Sequence, residues 1–221
     1  KRIEPYRQEL WPQIRGNVLE IGPGYGEALG MLRRAKQGGL VDAKAITRYV
    51  ALEPNAYLHS QLTINAQSNG FLVQYDVNTC PNATAFLRDN APYDYIVSSM
   101  VLCSVDDVEA NLRAIFDLLA PGGRFVFIEH VHHTDSSDPT VVPGAKGTVT
   151  KPFDVAMWRR VQDVLSPVWR IFSGNCHLNR EPARVLHDMG AGWSAIEYKT
   201  IRGSGGFMEK LAPLIYGVAT K

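Results

Sequence analysis

The chain has 221 residues, 23 Lys+Arg against 22 Asp+Glu for a formal net charge of +1, a hydrophobic fraction of 45% and a charged fraction of 20%. That length and composition suit one domain with a sizeable core and give no sign of disorder. Charge so evenly balanced, with no run of like sign, leaves no nucleic-acid footprint and no polybasic patch, so the partner to expect is a small molecule.

In chain order, residues 1–16 read as a helical lead-in to a single domain spanning 1–221. Beyond it, short β-rich runs alternate with longer amphipathic ones, which is the pattern of an α/β domain with a parallel sheet. The expected strands are Asn17–Ile21, Arg48–Leu52, Phe71–Tyr75, Tyr93–Ser98, Arg124–Glu129, Ser194–Lys199 and Ile215–Thr220. The expected helices are Glu27–Lys36, stopped by Gly38-Gly39; Ala56–Ser68, stopped by Asn69-Gly70; Asp106–Leu119, capped by Asp106 or Asp107 and stopped by Pro121-Gly122-Gly123; Val155–Phe172, kinked or divided at Pro167; and Arg180–Met189. Between the fifth and sixth strands, residues 132–192 form an insertion. It opens with a long polar stretch from His132 to Lys151, the kind of loop that is usually functional. The stripe Trp158, Val161, Leu165, Trp169 with Phe172 reads as core, some of it walling an apolar acceptor site.

Three cysteines, Cys80, Cys103 and Cys176, are too few and too scattered for a disulfide framework or paired metal ligands, which points to a reducing, cytoplasmic setting. The His-Val-His-His run from His130 has no cysteine pair beside it in sequence, so no metal site is expected.

The strongest local signal is Val18-Leu19-Glu20-Ile21-Gly22-Pro23-Gly24-Tyr25-Gly26-Glu27, a strand running through glycines into a helix. Gly22 and Gly24 let the chain turn tightly and let a ligand approach the backbone, and Gly26 permits close packing as the helix starts. A dinucleotide site would place a pyrophosphate here, which Glu20 would repel; a carboxylate suits a ligand with an ammonium or sulfonium end. Glu53, followed by Pro54 at the end of the second strand, stands where a carboxylate accepts bonds from both hydroxyls of a ribose.

The E-x-G-P-G-x-G turn, the acid after the second strand, Asp76 after the third, and Leu119–His130 (LAPGGRFVFIEH) resemble a class I S-adenosylmethionine-dependent methyltransferase, from about Gly16 to Lys221. Ser98–Val105 (SSMVLCSV), Ile128–Val131, Gly174–Glu181 (GNCHLNRE) and Leu214–Lys221 are similar to the methyltransferase-like branch that includes the alkyl thiol methyltransferases. The chain departs from that branch in Pro23, where cysteine is usual, and in a longer loop from His132 to Lys151. Family members begin with a hydrophobic membrane-associating segment, so membrane association is expected through a segment preceding Lys1.

The resemblance implies a Rossmann-like, seven-stranded, mostly parallel sheet flanked by helices, with S-adenosyl-L-methionine as cofactor. It implies that Gly22, Gly24 and Gly26 lie against the methionine part and ribose, with Glu20 near the ammonium and Glu53 on the ribose diol. Asp76 would take the adenine amino group beside Val77, and Ser99 and Met100 would offer backbone oxygen to the ammonium. Cys103, His130, Trp158 and Cys176 would line the acceptor side, with Cys103 packed near the cofactor. His130, past the fifth strand and beside Glu129, is the candidate general base; the alternative is that both residues only tie the following loop. A lipophilic thiol is the favoured acceptor. The rivals are an oxygen or nitrogen acceptor on a secondary metabolite or lipid amine, and a cofactor-binding module without methyl transfer.

Overall fold

The computed structural model describes residues 3–31, 46–71, 73–76, 85–133, 152–189, 192–201 and 206–221. Seven strands are found among them: β1 Gly16–Ile21, β2 Ile46–Leu52, β3 Val73–Asp76, β4 Tyr93–Ser99, β5 Leu119–His130, β6 Ala195–Ile201 and β7 Leu214–Thr220. They form one sheet in the order β3-β2-β1-β4-β5-β7-β6. The first five are parallel, and β7 pairs antiparallel with both β5 and β6. The seven-stranded, mostly parallel sheet expected from the sequence is therefore present.

Why these runs make strands follows from which face each residue buries. Leu19, Ile21, Val50, Leu52, Ile96, Phe125 and Phe127 belong to one core cluster, and their neighbours Val18, Tyr49, Ala51, Tyr95, Val97, Val126 and Ile128 to another. Both faces are covered, so the central strands read as nearly unbroken apolar runs.

The helices are α1 Glu4–Leu10, α2 Ala56–Ser68, α3 Ala85–Asp89, α4 Val108–Leu118, α5 Pro152–Phe172, α6 Pro182–Asp188 and α7 Phe207–Leu211, with a 3-10 turn at Trp11–Gln13. Asn55 caps α2 by accepting from the Tyr57 N–H at 3.1 Å, and Asp107 caps α4 by accepting from the Ala110 N–H at 3.0 Å. Of the helix expected at Glu27–Lys36, residues 29–31 are described as helical. Its continuation, its Gly38-Gly39 stop and the stretch 134–151 lie outside the described residues.

Four expectations change. Pro121-Gly122-Gly123 does not separate helix from strand: α4 ends at Leu118 and β5 starts at Leu119. An irregular register between Tyr93 and Tyr95 absorbs the break, and the Gly122 N–H donates to the Lys221 carbonyl at 3.1 Å. Pro167 does not divide α5, which runs continuously through it. Pro167 and Asp163, whose carbonyl loses its donor, are both exposed, so water can satisfy that oxygen. The apolar stripe on α5 is only partly its inward face: Trp158, Val161 and Trp169 are half-buried, Leu165 and Phe172 are exposed, and the polar Gln162 and Ser166 are buried. α5 packs over loop carbonyls, which need donors more than they need alkyl groups. Finally, α3 and α7 have no counterpart among the expected helices. No helix among the described residues is long and apolar enough to cross a membrane.

Candidate active site

The parallel register brings the carboxyl ends of the strands into one row, with Ile21 opposite both Leu52 and Ser98, Leu52 opposite Asp76, and Ser99 opposite Ile128. β1 lies between β2 and β4, so the chain order reverses beside it. Ligands of open α/β sheets bind at such a crevice.

The glycine turn occupies it. Gly22, Gly24 and Gly26 all have positive φ, at +61°, +59° and +78°. A Cβ on Gly22 would come 2.5 Å from Val101 Cγ2 and one on Gly26 would come 2.8 Å from side-chain atoms of Leu29 and Leu62, whereas one on Gly24 would meet nothing within 4 Å. Two of the glycines thus permit packing inside the fold, and Gly24 leaves its flank open to a ligand.

Glu53, 5% exposed, spans the turn. Its Oε2 accepts from the Gly24 N–H at 3.0 Å and its Oε1 from the Asn55 N–H at 2.9 Å. Each oxygen keeps a lone pair for a hydroxyl donor. The exposed Pro54 follows it. Asp76 closes β3 in line with this carboxylate. The side chain of Asp76 and the whole of Val77 lie outside the described residues.

Glu20 is buried and accepts from the Tyr49 hydroxyl. Burial pushes its carboxyl above the ordinary carboxylate value, against the pull of the Tyr49 hydrogen bond and the Arg7 charge. Arg7, buried on α1, also donates to Ser99 Oγ at 3.1 Å and meets Glu27 at 3.4 Å. Sequence reasoning missed Arg7, because nothing in α1 marks one arginine as the one that turns inward. Beside Ser99, Met100 adopts a φ of +64° with its N–H donating to the Ile128 carbonyl at 2.8 Å. The turn that follows rests on Glu129, which accepts from Ser98 Oγ at 2.5 Å and from the Val101 and Leu102 N–H groups, each at 3.0 Å. Burial raises the Glu129 carboxyl to about 7. Glu129 therefore ties the loop after β4.

At the end of β5 the structure gathers three of the four side chains expected on the acceptor side. The ligand atoms of Cys103, His130 and Cys176 all lie within 4.8 Å of one another, and His130 Nδ1 is 3.3 Å from Cys176 Sγ. His130 is 1% exposed, and its Nε2 has no hydrogen-bond partner among the described residues. The Cys103 thiol beside it lowers the Cys176 thiol below the ordinary cysteine value, opposed by burial and helped by His130 and the Trp169 indole. The Cys176 thiol beside it and burial push the Cys103 thiol up, while its Sγ donates to the Met100 carbonyl at 3.8 Å and lies 3.6 Å from Ser104 Oγ. The aromatic ring set against Cys176 is Trp169, whereas Trp158 stacks edge-on with Phe207 of α7 at 5.6 Å.

Over residues 1–188 the chain matches the family described as "Methyltransferase domain", and it belongs to that family. The cofactor that goes with this family and fold is S-adenosyl-L-methionine, and the open flank of Gly24 beside the Glu53 carboxylate fits it. The chain is 33% identical over 128 residues to human thiol S-methyltransferase TMT1A, which covers 58% of this chain and 43% of that protein. It is 25% identical over 195 residues to rat thiol S-methyltransferase TMT1B, covering 82% and 65% respectively. The chain thus spans about half to two thirds of these relatives' lengths. In fold it is similar to an S-adenosylmethionine-dependent methyltransferase from Mesorhizobium loti (TM-score 0.61, 18% identity, 100% of this chain and 98% of that one). It is also similar to the N-methyltransferase NodS from Bradyrhizobium japonicum WM9 in complex with S-adenosyl-l-homocysteine (TM-score 0.59, 14% identity, 100% and 85%).

Proposed function

We propose that the chain transfers a methyl group from S-adenosyl-L-methionine to a small lipophilic thiol. The observation that carries the reading is the placement of the Cys103, His130 and Cys176 corner on the same sheet edge as Glu53 and the glycine turn. The thiol S-methyltransferase relatives favour the same acceptor.

In this reading Glu53 receives the ribose hydroxyls on the lone pairs its backbone bonds leave free, and Gly22, Gly24 and Gly26 shape the turn beneath the donor. Asp76 and Val77 take the adenine end. Glu20, Arg7, Ser99 and Met100 hold the charged amino-acid end, the guanidinium being the natural partner of its carboxylate. The sulfonium supplies a methyl group that leaves without acid or base. What the protein must do is align the acceptor, exclude water and ready the acceptor sulfur for attack. A thiol is only partly ionised at neutral pH, with an unperturbed pKa of about 8.5. His130, buried with an Nε2 that has no hydrogen-bond partner among the described residues, is the residue that readies it, and Cys103, Cys176 and the ring of Trp158 border the acceptor. The chain acts on a small molecule, and neither nucleic acid nor like-charged surface enters the chemistry.

Turnover with labelled donor tests this directly. An alkyl thiol, a phenol and an amine of similar lipophilicity are offered in parallel, and S-adenosylhomocysteine is measured. Turnover of the thiol is expected to dominate. Turnover of the phenol or amine alone refutes the thiol acceptor, and tight donor binding with no product from any acceptor refutes transfer.

A further inference from the structure

We infer that Cys103, Cys176 and His130 form a zinc site with three protein ligands, whose fourth position takes the acceptor as a thiolate. The inference rests on the thiol reading above for its fourth ligand, but the three-ligand site stands on its own geometry.

A tetrahedral zinc ion, with bonds of about 2.3 Å to sulfur and about 2.0 Å to nitrogen, sets its ligand atoms roughly 3.5–3.8 Å apart. His130 Nδ1 and Cys176 Sγ, at 3.3 Å, lie about 0.2 Å inside that spacing and need only open slightly. All three ligand atoms fall within 4.8 Å of one another, so the widest pair closes by about 1 Å through side-chain rotation. Two thiolates and an imidazole form a donor set that favours zinc over hard cations, and three protein ligands with one open position mark a reactive site rather than a structural one.

The ligands are held before any ion arrives. The His177 N–H donates to the Cys103 carbonyl at 2.8 Å, and the Asn175 side-chain amide donates to the Ser104 carbonyl at 2.9 Å. These bonds staple the turn carrying Cys176 to the turn carrying Cys103. His130 is the last residue of β5, two residues past the end of its pairing with β4 and opposite Leu214 of β7. A site on such supports holds its geometry without the ion.

The ligand set adds no net charge of its own: two thiolates and Zn²⁺ sum to zero, beside the buried Glu129 carboxyl that already faces this corner. An incoming thiol loses its proton to solvent on binding the ion, since a coordinating thiol is deprotonated outright. Its added negative charge is matched by the donor's sulfonium. The sulfur–carbon bond to the acceptor then forms as the sulfonium–methyl bond breaks, and the product thioether is neutral. His130 acts here as a ligand, and the ion does the work a free base would otherwise do.

The test is metal binding by the reduced 221-residue chain. Zinc is removed with chelator, and Zn²⁺ or Co²⁺ is then titrated. One ion per chain is expected, with cobalt giving thiolate-to-metal charge transfer in the near ultraviolet and the visible bands of a tetrahedral ion. Cys176→Ser, Cys103→Ser and His130→Gln should each weaken binding at least tenfold, with folding checked by circular dichroism. Cys176 is only half-buried, so its variant reports even where the deeper Cys103→Ser unfolds. A wild-type chain that binds neither ion, or binds equally after Cys176→Ser, overturns the inference. Zinc bound without thiol turnover upholds the metal site and overturns the acceptor reading. Thiol turnover by a chelator-treated, zinc-free chain overturns the metal's role and leaves the acceptor reading standing.

Discussion

Replacing Glu53 separates what the carboxylate does for the fold from what it does for the donor. Its two oxygens hold the Gly24 and Asn55 N–H groups at 3.0 and 2.9 Å. In Glu53→Ala both N–H groups lose a charged acceptor, and the neighbouring Pro54 and Asn55 are exposed. Water therefore takes over part of the task, so the stability cost is expected at about 1–2 kcal/mol, the low end for charged hydrogen bonds. Donor binding loses the ribose bonds as well, about 1–3 kcal/mol or roughly 5- to 150-fold in Kd. Glu53→Gln keeps one acceptor oxygen and turns the other into a donor facing an N–H, so it should fall between wild type and alanine. Calorimetric titration with S-adenosylhomocysteine gives the affinity, and urea unfolding gives the stability. An affinity within twofold of wild type in a folded Glu53→Ala chain refutes the ribose assignment.

Three further outcomes follow from the same geometry. Gly24→Ala forces a side chain into a φ of +59° and into the open flank. It should cost about 1–2 kcal/mol of stability but weaken donor titration by considerably more than that; equal losses would mean the flank does not face the donor. Gln162 is fully buried: its amide donates to the carbonyls of Val131, Leu178 and Leu211 at 3.2, 3.0 and 3.0 Å and accepts from the His133 N–H at 2.7 Å. Gln162→Leu should destabilise by about 3 kcal/mol, read as a urea midpoint lowered by roughly 1–1.5 M; a shift under a third of that contradicts its role as a staple. Glu20 binds its proton more tightly folded than unfolded because burial raises its carboxyl above 4.5. Wild type should therefore lose stability relative to Glu20→Gln as pH rises from 4.5 through the folded value. Urea midpoints at several pH values check the sign, and a gain with pH would mean that Tyr49 and Arg7 outweigh burial.

The central strands were legible because both faces of the sheet are buried there, which leaves unbroken runs such as Tyr93–Ser98 and Arg124–Glu129 between punctuating turns. Asp107 announced its helix by cap chemistry, whereas the Asn55 cap was found only in the structure. The five-residue helices α3 and α7 are too short to show a 3.6-residue period. α5 showed its period plainly, but its most buried positions include Gln162, because part of the surface under it consists of carbonyls that Gln162 must satisfy, while Leu165 and Phe172 of the stripe face outward. In the candidate site, the glycine turn and Glu53 were visible as a local motif. Arg7 and the meeting of Cys103 with Cys176 were not, since each depends on elements distant in sequence arriving at one sheet edge.

The antiparallel entry of β7 has a consequence for how such a protein can change. Because β7 runs against β5, its first residue, Leu214, sits opposite His130, and the Val131 N–H donates to the Pro213 carbonyl at 3.0 Å. The segment from Phe207 to Pro213 thus arrives at the reactive edge from the far side of the sheet, remote from the strands that carry the glycine turn and Glu53. In the proposed reading, donor and acceptor are served by separate halves of one edge. Variation over residues 207–213 can retune acceptor choice while the donor half stays as it is, so a library confined to those positions should yield altered acceptor preference at constant donor affinity.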